Sequence, residues 1–184
     1  AACALQAVDC LRSVLPVTTE SIRQGLRSIE LPGRFERNSL QGVPVILDVA
    51  HNPDAVRALL DNVKGIAQLD QIRAVFTCAA NKDIAGMVTS FEPYVSHWYI
   101  APVFPDYLPG RQAVGDSSEK IASVLDQLNC QFTCADSVEM AFKVAHNDCQ
   151  LKQDQLVLVF GSFKTVAAVK RAVSFDKDDK ICLL

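Results

Sequence analysis

No apolar run in this 184-residue chain approaches the roughly 20 residues that a membrane-spanning helix needs, and no signal-peptide pattern opens it. Lysine and arginine form no cluster with interleaved aromatics, and a net charge of −3 supplies no electrostatic case for nucleic acid. Neither a nucleic acid nor a membrane is therefore an expected partner. Phosphate-wrapping loops are missing too: the chain has no G-x-x-x-x-G-K-[ST] and no G-x-G-x-x-G. Spacing alone assigns no Ser–His–Asp arrangement and no paired metal carboxylates. Seven cysteines (Cys3, Cys10, Cys78, Cys130, Cys134, Cys149 and Cys182) are scattered without a C-x-x-C, and only His51, His97 and His146 could complete a zinc site. Cys130 and Cys134 flank a short β-like run, on one side of it but too far apart to bridge. The cysteines read as reduced thiols, several of them buried small apolar residues, in a cytoplasmic protein. No metal site is expected on this chain.

What is present is a composition of 49% apolar and 21% charged residues, ordinary for a globular chain with one principal domain. The first residues have mid-helix character and no methionine precedes them, so a fragment is expected. Ala4, Val8, Leu11 and Leu15 form one helical stripe, broken by Pro16; Ile22, Leu26 and Ile29 form another, capped by Thr18 or Thr19. Residues 34–42 suit an edge strand or hairpin leading into a buried strand at 43–48. From there the patterns alternate. Helices are predicted around Val56–Val63, Ile84–Phe91, Ile121–Leu128, Val138–Ala145 and Val166–Val173, the fourth opened by an Asp136-x-x-Glu139 capping box. Strands are predicted at Ile72–Thr77, His97–Ala101, Cys130–Cys134 and Leu156–Phe160. A loop rich in Pro and Gly spans 102–117, and Asp176–Lys180 reads as a solvated charge run. The alternation predicts a doubly wound α/β fold: a mostly parallel sheet with helices on both faces, preceded by a short helical segment. Residues 1–30 are the helical segment and 31–184 the α/β domain.

In such a sheet ligands bind where the strands end. The residues after the strands are Asp48 and His51, then Asn81, Lys82 and Asp83, then the loop with Arg111, then Ser162 and Lys164. Asn52 reads as an N-cap with Pro53 the first helical residue, and Ser162 reads equally as cap or ligand contact. Asp48 lies too early to be a cap, and an acidic residue at this place suits ribose hydroxyls. Lys82, Arg111 and Lys164 can neutralise phosphate or carboxylate, helped by helix N-termini near Pro53 and Phe163. His97 and His146 read as structural. The residues point to an anionic ligand, a nucleotide, with a second acid nearby.

Five motifs occur in one order: Leu31-Pro32-Gly33-Arg34-Phe35, Asp48-Val49-Ala50-His51-Asn52-Pro53, Lys82-Asp83-Ile84-Ala85-Gly86, Trp98-Tyr99 with Ala101-Pro102, and Phe160-Gly161-Ser162-Phe163 with Thr165-Val166-Ala167. This set resembles the C-terminal domain of bacterial folylpolyglutamate synthases, most closely the bifunctional dihydrofolate synthase type, within the Mur ligases. The resemblance implies a Rossmann-like Mur ligase C-terminal fold and an ATP-dependent amide-forming reaction. The γ-phosphoryl group of ATP passes to a pteroate or folate carboxylate, and L-glutamate attacks the acyl phosphate. It also implies that the P-loop and the Mg2+ ligands belong to the chain's own larger N-terminal domain, of which residues 1–15 resemble the closing helix. A piece without that domain is expected to be inactive alone. Carried over by position, Arg34 contacts ATP phosphates, Asp48 the ribose, and His51 and Ser162 the vicinity of glutamate and acyl phosphate. Lys82 stabilises that intermediate electrostatically, so His51 and Lys82 are the candidate catalytic residues. The expected partners are ATP, L-glutamate and dihydropteroate or reduced folate, and the expected state is a monomer. One departure stands out: the family often has a glycine ending the second strand and an aspartate before the lysine, where this chain reads Thr77-Cys78-Ala79-Ala80-Asn81-Lys82. Two alternatives stay open, a Mur-type peptidoglycan amino-acid ligase and a non-catalytic nucleotide- or amino-acid-binding module.

Overall fold

A computed structural model describes residues 2–29, 31–65, 72–102, 117–150 and 156–175. The chain divides into two units, Ala1–Pro32 and Gly33–Leu184. The first holds α1 (Ala2–Cys10) and α2 (Thr19–Ser28), neither of which buries a side chain. Thr18 caps α2 by accepting the Ser21 N–H at 3.1 Å. The stripe predicted through Leu11 and Leu15 is shorter than expected, because α1 ends at Cys10 and the chain turns before Pro16. Pro16 disfavours helical geometry at the residue before it, and an apolar stripe without a core to cover gains nothing from another turn.

The second unit is built on a six-stranded sheet in the order β1-β2-β6-β3-β4-β5. Its strands are β1 (Glu36–Leu40), β2 (Val43–Leu47), β3 (Ile72–Phe76), β4 (Val95–Ile100), β5 (Phe132–Cys134) and β6 (Leu156–Phe160). β1 and β2 form the antiparallel edge hairpin, with Leu40 opposite Val43; all other pairings are parallel. The helices are α3 (Pro53–Lys64), α4 (Ile84–Phe91), α5 (Ser118–Gln127), α6 (Val138–Gln150) and α7 (Phe163–Ala172), and a turn of 3-10 helix (Glu92–Tyr94) follows α4.

Alternate strand residues enter opposite layers, as the pleat requires. Ile46, Ala74, Phe76, Trp98, Leu158 and Phe160 pack with Val56, Leu59, Met87, Phe91, Ile121 and Leu125 from α3, α4 and α5. Val45, Leu47, Val75, Tyr99, Val157 and Val159 pack with Val138, Phe142, Ala145, Val166 and Val169 from α6 and α7. Every residue of β6 is buried, which is why Leu156–Phe160 lies in the middle of the sheet. Each such side chain contributes about 1.5–3 kcal/mol on leaving water. The expected doubly wound α/β fold is therefore the observed one.

Differences are local. The predicted capping box is not made: Ser137, not Asp136, caps α6 by accepting the Met140 N–H at 3.1 Å. The helix starts at Val138, so Glu139 falls one position short of the reciprocal bond. β5 starts at Phe132 rather than Cys130, after the turn at Leu128 and Asn129. His146 Nε2 donates to the Leu40 carbonyl at 2.9 Å, and His97 Nε2 bonds Thr133 Oγ1 at 2.8 Å, both within the scaffold. The segments with Arg111 and Asp176–Lys180 lie outside the described residues. Among the described residues no helix is long and apolar enough to cross a membrane.

Candidate functional site

Three neighbouring parallel strands, β2, β6 and β3, end side by side. Their register puts Leu47 opposite Val159 and Phe76 opposite Phe160, so Gly161 and Thr77 emerge at one level and Asp48 one residue earlier, beside Phe160. The ladder continues one residue further on both sides: Asp48 N–H donates to Val159 O at 2.9 Å and Thr77 N–H to Phe160 O at 3.4 Å. Helices α3 and α7 start just past this edge. Asn52 caps α3 through the Ala55 N–H at 2.9 Å, with Pro53 in the first position. Ser162 caps α7 through the Thr165 N–H at 3.0 Å. Both helices therefore present their positive ends at the strand edge.

The Asp48 carboxylate is buried, at 8% exposure, and it works on the backbone. Oδ1 accepts the Ala50 N–H and Oδ2 the Phe35 N–H, each at 2.7 Å. The second bond holds a turn in which Phe35 adopts φ 46°, a left-handed conformation that an L-residue keeps only when its surroundings impose it. The same turn is tied again where the Val49 N–H donates to Gly33 O at 2.9 Å. It is tied a third time by Glu36, whose Oε2 accepts the Gly33 N–H and whose Oε1 accepts from Lys170, both at 2.6 Å. Arg34 rides on this turn.

The turn brings the Arg34 guanidinium over the Phe163 ring, with Cζ 5.6 Å from the centroid. On the same ring lies His51, its imidazole centroid 6.3 Å away at 46°. His51 Nδ1 is 2.9 Å from the Val49 carbonyl. A carbonyl only accepts, so Nδ1 carries the proton in this bond and Nε2 is the nitrogen left for another partner. No carboxylate among the described residues pairs with Arg34. A guanidinium, an imidazole and two helix N-termini at one edge make a place for an anion.

Ser162 Oγ is 2.6 Å from Thr165 Oγ1, which itself donates to the Thr77 carbonyl at 3.2 Å. A hydroxyl chain thus joins the ends of β6 and β3, and Ser162 is both cap and member of that chain. Lys82 belongs to the loop after β3, where its N–H donates to Ala79 O at 3.0 Å. It shares the edge with the other candidates, one strand further along, but no described hydrogen bond joins its side chain to Arg34, Asp48, His51 or Ser162. Asp83 caps α4 through the Gly86 N–H at 2.9 Å. Lys164 is exposed in the first turn of α7 and makes interactions of its own. Cys78, at the end of β3, is no nucleophile: burial pushes its thiol up to about 12, against the opposing effect of the Lys82 charge. Among the described residues no group of three His, Cys, Asp or Glu could hold a metal ion.

Phe163, Glu36 and the Thr77–Thr165 pair escaped the sequence reading. A signal existed for Phe163: it completes the spacing of Val166 and Val169, yet it opens the helix, where the sheet no longer covers it.

Burial pushes the Glu36 carboxyl up, but hydrogen bonds from Lys170 and the Gly33 N–H, with the Lys170 charge and Asn38, leave it below its ordinary value. A depressed folded value means that this stabilisation is present above the unfolded carboxyl range near 4.3 and is lost as pH falls through the folded value. With the pair partly in solvent the contribution stays within about 1 kcal/mol. Urea titrations of wild type and Glu36→Gln are expected to differ at pH 6 and to converge as pH approaches 3. A difference that grows toward acid would show that Glu36 does not hold the turn.

Comparison with known proteins bears on the family and the fold. Residues 33–163 match the family described as Mur ligase, glutamate ligase domain. Dihydrofolate synthase/folylpolyglutamate synthase of Escherichia coli (strain K12) is 36% identical over 171 residues, which are 92% of this chain and 37% of that protein. The crystal structure of the Yersinia pestis bifunctional folylpolyglutamate synthase/dihydrofolate synthase, complexed with AMPPNP and Mn ion, superimposes with a TM-score of 0.72 at 38% identity. It covers 87% of this chain and 35% of the Yersinia chain. E. coli FolC in complex with DHPP and ADP gives 0.72 at 36% identity, covering 90% of this chain and 37% of that one. The chain thus spans a little over a third of the length of these relatives. The family match takes in the sheet from the Arg34 turn to Phe163, and the chain belongs to the Mur ligase family as its glutamate ligase domain.

Proposed function

We propose that this chain is the C-terminal part of an ATP-dependent ligase, cytoplasmic and monomeric. It adds L-glutamate to dihydropteroate, to reduced folate polyglutamates, or to both. The observation that carries the reading is the gathering of Arg34 and His51 on Phe163 at the edge where β2 and β6 end, beside the N-terminus of α7. In this reading Arg34 takes the ATP phosphates. Asp48 serves the nucleoside by fixing the Arg34 turn and through the lone pairs its two backbone bonds leave over. His51 and Ser162 stand at the incoming glutamate, and Lys82 neutralises the acyl phosphate.

The γ-phosphoryl group moves from ATP to the pteridine substrate's carboxylate, leaving ADP. The glutamate amine then attacks the activated carbonyl, phosphate departs, and an amide remains. Such transfers depend on positioning and charge neutralisation, which one edge of a sheet supplies only in part. The complement is an N-terminal P-loop domain of the same protein, with residues 1–30 as its closing helical segment and linker. Mg2+ is assigned to that domain.

The test is to express the chain with the coding sequence upstream of Ala1 and follow ADP release with glutamate plus dihydropteroate or tetrahydrofolate. Glutamate-dependent turnover is expected; a folded protein without it, whatever pteridine is offered, overturns the proposal. In that enzyme Arg34→Ala is expected to raise the KM for ATP about tenfold, the loss of one charge-assisted contact, with kcat changed less.

A further inference from the structure

We propose that Phe163 is a positioning residue of this site: its exposed ring, which meets both the Arg34 guanidinium and the His51 imidazole, holds the guanidinium in place for an anionic ligand. The proposal deepens the nucleotide reading of the site and rests on it.

Phe163 opens α7 directly after the Ser162 cap and is 60% exposed, whereas Val166 and Val169 on the same helix are buried. Its ring therefore is not there for the core. Its two ring neighbours come from different elements: Arg34 at 5.6 Å from the turn before β1, and His51 at 6.3 Å from the turn after β2. The backbone of the Arg34 turn is fixed three times over, by Asp48, by Val49 and by Glu36. What those bonds leave free is the long arginine side chain. A flat aromatic face under the guanidinium removes that freedom before the ligand arrives, and the cost of ordering is not met again on binding. The electron-rich face also explains why an aromatic residue serves where leucine would fill the same space.

Two measurements test this. In the 184-residue chain, without ligand, NMR of Arg34 Hδ and Nε–Hε and of the His51 ring protons is compared for wild type, Phe163→Leu and Phe163→Tyr. Upfield ring-current shifts are expected in wild type and Phe163→Tyr, and their loss in Phe163→Leu. Shifts that do not change with leucine overturn the proposal.

In the longer enzyme, Phe163→Leu is expected to raise the KM for ATP two- to fivefold, with kcat changed less and Phe163→Tyr restoring it. In an Arg34→Ala background the leucine substitution is expected to have no further effect. If Arg34→Ala weakens ATP use and Phe163→Leu does not, or if the two effects multiply, Phe163 is not positioning Arg34 and this proposal falls alone. If Arg34→Ala itself leaves KM unchanged, the nucleotide assignment of Arg34 falls, and the role given to Phe163 falls with it.

Discussion

Gly161→Ala is expected to destabilise the α/β unit by about 3–5 kcal/mol, lowering its thermal midpoint by roughly 10 °C. Gly161 joins the central strand β6 to the Ser162 cap with φ +107°, a region closed to L side chains. A Cβ there would stand 2.3 Å from the Thr77 carbonyl oxygen and 2.8 Å from Cδ2 and Cε2 of Phe76. Neither can give way. The carbonyl accepts the Thr165 hydroxyl, and the fully buried Phe76 ring is wedged between Trp98 at 5.8 Å and Phe160 at 4.9 Å. Gly42→Ala is the control. Its φ is +77°, but no atom lies within 4 Å of the added carbon, so it reports backbone strain alone, about 1–2 kcal/mol. Urea unfolding followed by circular dichroism separates the two. A Gly161→Ala midpoint no lower than that of Gly42→Ala would mean that β6 and β3 are not joined as described.

That close approach also shows where sequence reading stops. Leu156–Phe160 could be read as a buried strand because five consecutive apolar residues are tolerated only where both faces are covered. Asn52 and Pro53 could be read as a helix start because capping is local chemistry, settled within three residues. The candidate edge was legible for the same reason: strand ends in a parallel sheet share a rim whatever the order of the strands. The order itself was not legible. Nothing in the letters says that β6 inserts between β2 and β3, and that insertion is what puts Ser162 and Phe163 beside His51 rather than at the far end of the rim. Asp48 reads as a residue with work to do, since it lies too early to be a cap. Its partner, the Phe35 N–H, lies 13 residues away in the chain and becomes a neighbour only because β1 folds back along β2. Where the partner is remote, residue type indicates that a group is needed and leaves open what it holds.

Asp48→Ala is expected to cost about 2–4 kcal/mol of stability, because it strips the acceptor from two N–H groups at once, at Phe35 and Ala50. Asp48→Asn is expected to recover less than half of this: its amide oxygen satisfies one N–H, while its NH2 confronts the other donor. A carboxylate whose whole task was to touch a ligand would show neither loss, and unfolding midpoints equal to wild type would remove the structural role. Nucleotide use then separates the two contributions given to Asp48. Acting only through the turn, it moves Arg34, so Asp48→Ala should raise the KM for ATP about as much as Arg34→Ala, and the double variant should be no worse than either. A direct contact with the ribose adds a further loss that survives in the Arg34→Ala background. The described geometry favours a large shared part, since both carboxylate oxygens already hold backbone and the guanidinium sits one residue from the N–H that Oδ2 accepts. Fully multiplicative effects of the two substitutions would reverse that assignment and make Asp48 a ligand contact that happens to be buried.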